Sequence, residues 1–213
     1  MTKIKYKVKY SPGGTHPLFL HPFISFFTPE LKNKTVLDVG CGRGLNGSLI
    51  RATRDWSGST IIGMDINKDS LDFCGSFNIY DKLVMARLPK LPFKDKSIDF
   101  ILCIEVIEHL KKKEGIALLR EIDRVCKGRA IVSTPNMFFD TMHSGKEDEH
   151  KSLWRAKDFR RYNYKVYGLG FKTPLLLGDK ILKVKQAFYY LFTPLSYIIP
   201  EIGGILFCVK NYL

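Results

Sequence analysis

The chain has 213 residues, 45% of them hydrophobic and 13% aromatic, enough for one domain with a full core and too apolar for a disordered chain. A formal net charge of +13 points to an anionic partner: nucleic acid, an acidic lipid surface or a phosphorylated substrate. Cys41, Cys74, Cys103, Cys126 and Cys208 are scattered, odd in number and without C-x-x-C spacing, which implies neither a disulfide framework nor a zinc site and fits a reducing cytoplasm.

The first ten residues alternate lysine (Lys3, Lys5, Lys7, Lys9) with Ile4, Tyr6, Val8 and Tyr10, a period of two that puts the charges on one face of an extended segment. With no apolar core, this stretch is not expected to be a signal peptide. Residues 15–32 are rich in aromatics and leucine, broken by Pro17, Pro22 and Pro29. They read as a short helix on the sheet; a cap over a pocket is the other reading, implied by the family resemblance given below. Residues 1–33 therefore form a basic strand and capping segment ahead of a main unit at 34–213, together one structural domain.

Strands are expected over 35–39, 60–64, 82–85, 98–104 and 130–133, and helices over 45–54, 69–77, 113–125 and 156–167. Two further apolar runs lie at 172–177 and 204–210. This alternation predicts an α/β fold, a Rossmann-like three-layer αβα sandwich with a mostly parallel sheet. The first strand runs into Gly40, Gly42 and Gly44, where a sharp turn and close approach of backbone to a ligand need residues without Cβ. The helix start beyond leaves unpaired N–H groups for polar atoms of a cofactor. About 20 residues on, the second strand ends in Asp65, placed to accept hydrogen bonds from a ribose diol.

Spacing separates two owners of this pattern. Dinucleotide folds show G-x-G-x-x-G, whereas here the third glycine comes one residue early and Asp38 precedes the first by two. A carboxylate there repels pyrophosphate and suits an ammonium group. The block Val36-Leu37-Asp38-Val39-Gly40-Cys41-Gly42-Arg43-Gly44 resembles the first motif of class I S-adenosylmethionine-dependent methyltransferases. The resemblance covers roughly residues 34–171. It implies S-adenosyl-L-methionine as cofactor, with Asp38, Gly40, Gly42 and Gly44 on the methionine side and Asp65 on the ribose. It also implies a seven-stranded sheet closed by an antiparallel last strand. Ile66, Met85 and Ala86 would flank adenine, although Met85-Ala86-Arg87 lacks the acid that the family tends to place there.

A second block, Leu91-Pro92-Phe93 through Asp99 to Glu105-Val106-Ile107-Glu108-His109-Leu110, is similar to the signature of the type 11-like subfamily, which includes ubiquinone-type and many small-molecule methyltransferases. Ile104 and Glu105 would then stand near the methyl group. Glu105, Glu108 and His109 at i, i+3 and i+4 share a helical face. With His150 they resemble residues that hold a divalent metal in small-RNA 2′-O-methyltransferases and ubiquinone-pathway O-methyltransferases. Relatives also carry E-V-x-E-H-L without metal, so both readings stand. Glu105, His109 or His150 could take a proton from the acceptor, and no catalytic residue is assigned.

The expected activity is methyl transfer to an oxygen or nitrogen of a small-molecule or lipid-like acceptor, with RNA the alternative suggested by the basic charge. An NAD-dependent oxidoreductase is disfavoured by the glycine spacing and Asp38; a non-catalytic cofactor-binding protein remains the other class. Residues 186–200 are unusually aromatic. They could be a helix packed on the sheet, a lid, or a peripheral membrane contact of an otherwise cytoplasmic protein. Pro194, Pro200, Glu201 and Gly203-Gly204 argue against a transmembrane helix.

Overall fold

The computed structural model describes residues 20–137, 149–171 and 183–212. Seven strands form one sheet in the order β3-β2-β1-β4-β5-β7-β6. They are β1 (Thr35–Val39), β2 (Thr60–Asp65), β3 (Lys82–Met85), β4 (Ile98–Ile104), β5 (Cys126–Pro135), β6 (Lys165–Phe171) and β7 (Gly203–Asn211). The first five pair in parallel, and β7 inserts antiparallel between β5 and β6. The helices are α1 (Leu20–Phe27), α2 (Leu45–Thr53), α3 (Lys68–Ser76), α4 (Lys112–Val125), α5 (Ala156–Arg160) and α6 (Lys183–Ile198).

Alternation along the central strands divides the interior in two. Leu37, Val39, Ile101 and Cys103 face a core filled by Leu118, Leu119 and Ile122 of α4, Trp154 just before α5 and Phe159 of α5. Val36, Phe100, Leu102 and Phe207 face the opposite layer, with Leu20, Ile24, Ile50 and Leu71 from α1, α2 and α3. Strands buried on both faces read as continuous apolar runs, as the sequence of β4 does. On α4, Gly115, Leu118, Leu119, Ile122 and Val125 form a helical stripe against the sheet. Arg124, at the end of α4, fastens the segment before β4. Its guanidinium donates to the carbonyls of Leu91 and Phe93 and to the carboxylates of Asp95 and Glu121.

The structure departs from the sequence expectations at three places. The helix expected over 156–167 ends after one turn, at Arg160. Asn163 takes a left-handed backbone (φ 62°), which stops the helix, and the chain turns directly into β6. β6 thus occupies the place expected for the run 172–177, which lies outside the described residues. β5 begins at Cys126, immediately after α4, four residues before the expected start. The basic strand expected near the N-terminus also lies outside the described residues. The helix that follows it, α1, rests on the sheet: Phe27 packs against Tyr167 and Phe207 with ring centres 5.0 and 5.5 Å away.

Candidate active site

The strand order reverses between β1 and β4, where an open α/β sheet forms a crevice at the carboxyl ends of its strands. The residues singled out by the sequence gather there. The loop after β1 has all three glycines at positive φ: 67° at Gly40, 50° at Gly42 and 80° at Gly44. A Cβ on Gly40 would lie 2.5 Å from Cγ2 of Val106, so the approach of the segment after β4 requires glycine at that position. A Cβ on Gly42 would meet nothing within 4 Å, so that backbone faces open space.

Asp65 closes β2. One carboxylate oxygen accepts from Gly42 N and the other from Asn67 N, both at 2.8 Å. Asn67 in turn caps α3 through Ser70 N. Beyond Asp65, Ile66 and Met85 are exposed apolar side chains, 42% and 66% accessible, at the ends of neighbouring strands. Ala86 N donates to the Asp65 carbonyl, which brings the ends of β2 and β3 into one rim. A glycine loop open to solvent, an acid beside it and uncovered apolar side chains suit a nucleoside with a charged tail, so these residues fit S-adenosylmethionine.

Asp38 sits differently from the sequence expectation. It is fully buried beneath the loop, accepting from Tyr80 Oη at 2.6 Å and Asn46 Nδ2 at 3.3 Å. Burial pushes its pKa up to about 6, against the pull of those two hydrogen bonds. Its carboxylate ties α2 and the segment before β3 to β1, with no surface exposed to solvent. The sequence pattern missed this because Tyr80 lies 42 positions away.

On the other side of the crevice β4 ends at Ile104. Glu105 follows in a left-handed backbone (φ 55°). Ser133 on β5 holds it: Ser133 Oγ donates to Glu105 Oε1 at 2.7 Å, and Glu105 N donates to the Ser133 carbonyl at 3.2 Å. A 3-10 turn, Ile107–His109, then buries Glu108, whose Oε2 accepts from Thr134 Oγ1 at 3.1 Å. The Glu108 carbonyl accepts from the N–H groups of Lys151 and Ser152, bringing His150 alongside. Potential ligand atoms of Glu108, His109 and His150 all lie within 4.8 Å of one another. Glu105 stands beside this group and is not part of it.

Burial raises Glu105 to about 7, with the Ser133 hydrogen bond opposing. It raises Glu108 well above the usual carboxylate range, and the Glu105 charge adds to that. Burial, then the neighbouring His109, lowers the His150 pKa. Two crowded acids and a histidine held neutral suit a hard divalent cation. Ser133 and Thr134, which in the sequence read only as a strand end, are what orient the two acids.

Comparison with known proteins agrees with this arrangement. Residues 37–133 match the family model described as a methyltransferase domain. The chain is 30% identical over 151 residues to an uncharacterised protein of Methanocaldococcus jannaschii, covering 67% of this chain and 61% of that protein. It is 34% identical over 100 residues to a fatty-acid O-methyltransferase of Mycolicibacterium smegmatis, covering 46% of this chain and 35% of that one. The chain thus spans less than two thirds of the length of these relatives. In fold it is similar to an S-adenosylmethionine-dependent methyltransferase of Archaeoglobus fulgidus, with TM-score 0.59, 19% identity and coverage of 91% and 93% of the two chains. With the glycine loop, the acid closing β2 and the antiparallel β7 in place, residues 37–133 belong to the type 11 methyltransferase-domain family, within a sheet that has the fold of the class I S-adenosylmethionine-dependent methyltransferases.

Proposed function

We propose that this chain transfers the methyl group of S-adenosylmethionine to a hydroxyl oxygen of a small-molecule or lipid-like acceptor. The observation that carries the reading is the group Glu108, His109 and His150, with Glu105 next to it, at the strand end facing the glycine loop. Gly40, Gly42 and Gly44 would cradle the donor's amino-acid tail with backbone groups, and Asp65 would accept from the ribose hydroxyls. Ile66, Met85 and Ala86 would cover the adenine. Asp38 would act from below, by fixing the loop.

The donor supplies an already activated methyl on a cationic sulfur, so the protein's work is alignment and exclusion of water. A divalent cation held by Glu108, His109 and His150 would lower the pKa of an acceptor hydroxyl. Glu105, ionising near neutrality, can take that hydroxyl's proton on a carboxylate oxygen. Ser133 and Thr134 keep the two acids turned toward the crevice.

Isothermal titration tests both halves. S-adenosylhomocysteine is expected to bind the wild type and to bind Asp65→Ala about tenfold or more weakly, since a charged group's hydrogen bonds are lost. Mn²⁺ is expected to give heat with the wild type and none with Glu108→Ala or the less buried His150→Ala. Identical Mn²⁺ traces for wild type and both variants would remove the metal from the mechanism. A second reading, RNA as acceptor, is favoured by the net charge of +13. It requires RNA retention on filters that weakens steeply with salt; a flat, weak response discards it.

A further inference from the structure

Over residues 191–198, helix α6 is apolar on both its faces. Residues 186–200 contain no charged side chain. Its inner face packs on the sheet: Tyr197 stacks on Tyr167 with ring centres 4.7 Å apart, Phe192 meets Phe171 at 5.4 Å, and Ser196 is buried. Its outer face is apolar as well. Leu191, Leu195, Ile198 and Ile199 are 69%, 40%, 76% and 41% accessible, at i, i+4, i+7 and i+8, the spacing of one helical stripe. A surface helix ordinarily carries polar residues at those positions. The neighbouring α1, which abuts α6 through Phe23 and Tyr197 at 5.8 Å, adds Phe26, 78% accessible.

We infer that the outward stripe of α6, with Phe26, is a docking face for an anionic membrane surface. Charge supports that occupant. Lys180, Lys183 and Lys185, with Asp179 the one acid among them, immediately precede the uncharged stretch in the sequence. Glu201, the acid that follows the helix, is matched by Arg160 at 2.6 Å. The chain as a whole carries 34 basic residues against 21 acidic ones. An apolar helical stripe preceded by lysines in the sequence is the pattern of a helix lying in the headgroup plane. Among the described residues no helix is long and apolar enough to cross a membrane, so α6 would lie on the surface and not span it.

The face deepens the lipid-like acceptor of the proposed function, on which its relevance to catalysis rests. Phe171, which Phe192 of α6 covers, pairs with Gly203 at the same end of the sheet as Pro135, the end of β5. A membrane bound along α6 would therefore adjoin the crevice end of the sheet.

The test is flotation of the full chain with phosphatidylcholine vesicles, with and without phosphatidylglycerol. Wild type is expected to float with the anionic vesicles, less so in high salt. The double variant Leu191→Ser/Ile198→Ser, which alters only exposed positions, is expected to lose about tenfold or more of its partitioning. Wild type staying unbound with both vesicles, or the variant floating equally well, overturns the inference. So does light scattering that finds wild type dimeric and the variant monomeric, since the stripe then belongs to a second copy. Thermal upshift with S-adenosylhomocysteine, followed in both proteins, reports the methyltransferase reading separately.

Discussion

The two ends of the sheet are held together by different means. Around β3, β2, β1 and β4 the fit is a matter of backbone: glycines at positive φ, a carboxylate bonded to a loop N–H, and a valine against a Cα that has no Cβ. Around β5, β7 and β6 it is a matter of volume. Phe23, Phe27, Tyr167, Tyr197 and Phe207 fill the layer with ring centres 4.7–6.1 Å apart. The first region tolerates shifts of tenths of an ångström, whereas the second tolerates exchange of one bulky side chain for another. In the proposed function the cofactor rests on the first region, and the acceptor side borders the second.

Substitutions should expose that division. The largest effect is expected from Gly40→Val, which forces a β-branched residue into a left-handed backbone and drives it into Val106. Strain and overpacking cost about 1–3 kcal/mol each. Calorimetry should find S-adenosylhomocysteine binding abolished even in protein that remains folded; retained affinity would mean the loop has room to move. Phe207→Ala should cost about 3–5 kcal/mol of stability in urea titrations, as a fully buried ring is removed. The folded fraction should bind S-adenosylhomocysteine as wild type does, and a parallel loss of affinity would erase the distinction between the regions.

The smallest of the three effects is a pH dependence. Asp38 has its pKa raised on folding from 3.8 to about 6, so its contribution to stability is complete below about pH 4 and is lost as pH rises through about 6. Two units correspond to about 3 kcal/mol at most. Asp38→Asn, which keeps an acceptor for Tyr80, should lack that decline. Melting curves of the variant and wild type should therefore converge or cross toward neutral pH, and parallel curves would show that Asp38 does not titrate in this range.

The same division governs how far the sequence could be read. The glycine loop, Asp65 and the strands at 35–39, 60–64 and 98–104 were legible because a turn with three positive-φ residues in five favours glycine, and buried parallel strands leave largely apolar runs, interrupted here only by single residues such as Asp38 and Asp99. The end of α5 was not legible. Lys165 to Phe171 has no strict alternation because β6 is buried on both faces, and the stop signal was a single asparagine, Asn163, in a left-handed conformation. Asp38 was found but its partners were not, since Asn46 and Tyr80 reach it only through the fold. The acids and histidines after β4 were visible as a motif. What sequence could not supply was that Ser133 and Thr134, from the next strand, aim the acids, or that two backbone bonds to Glu108 carry His150 to them.

Glu105 carries one more implication. Its left-handed backbone is unfavourable for any residue with a side chain, and glycine at that position would relax it. If Glu105 takes the acceptor's proton as proposed, heat resistance and turnover pull position 105 in opposite directions. A library screened only for survival at high temperature should drift toward glycine there, trading the acid for a more comfortable chain.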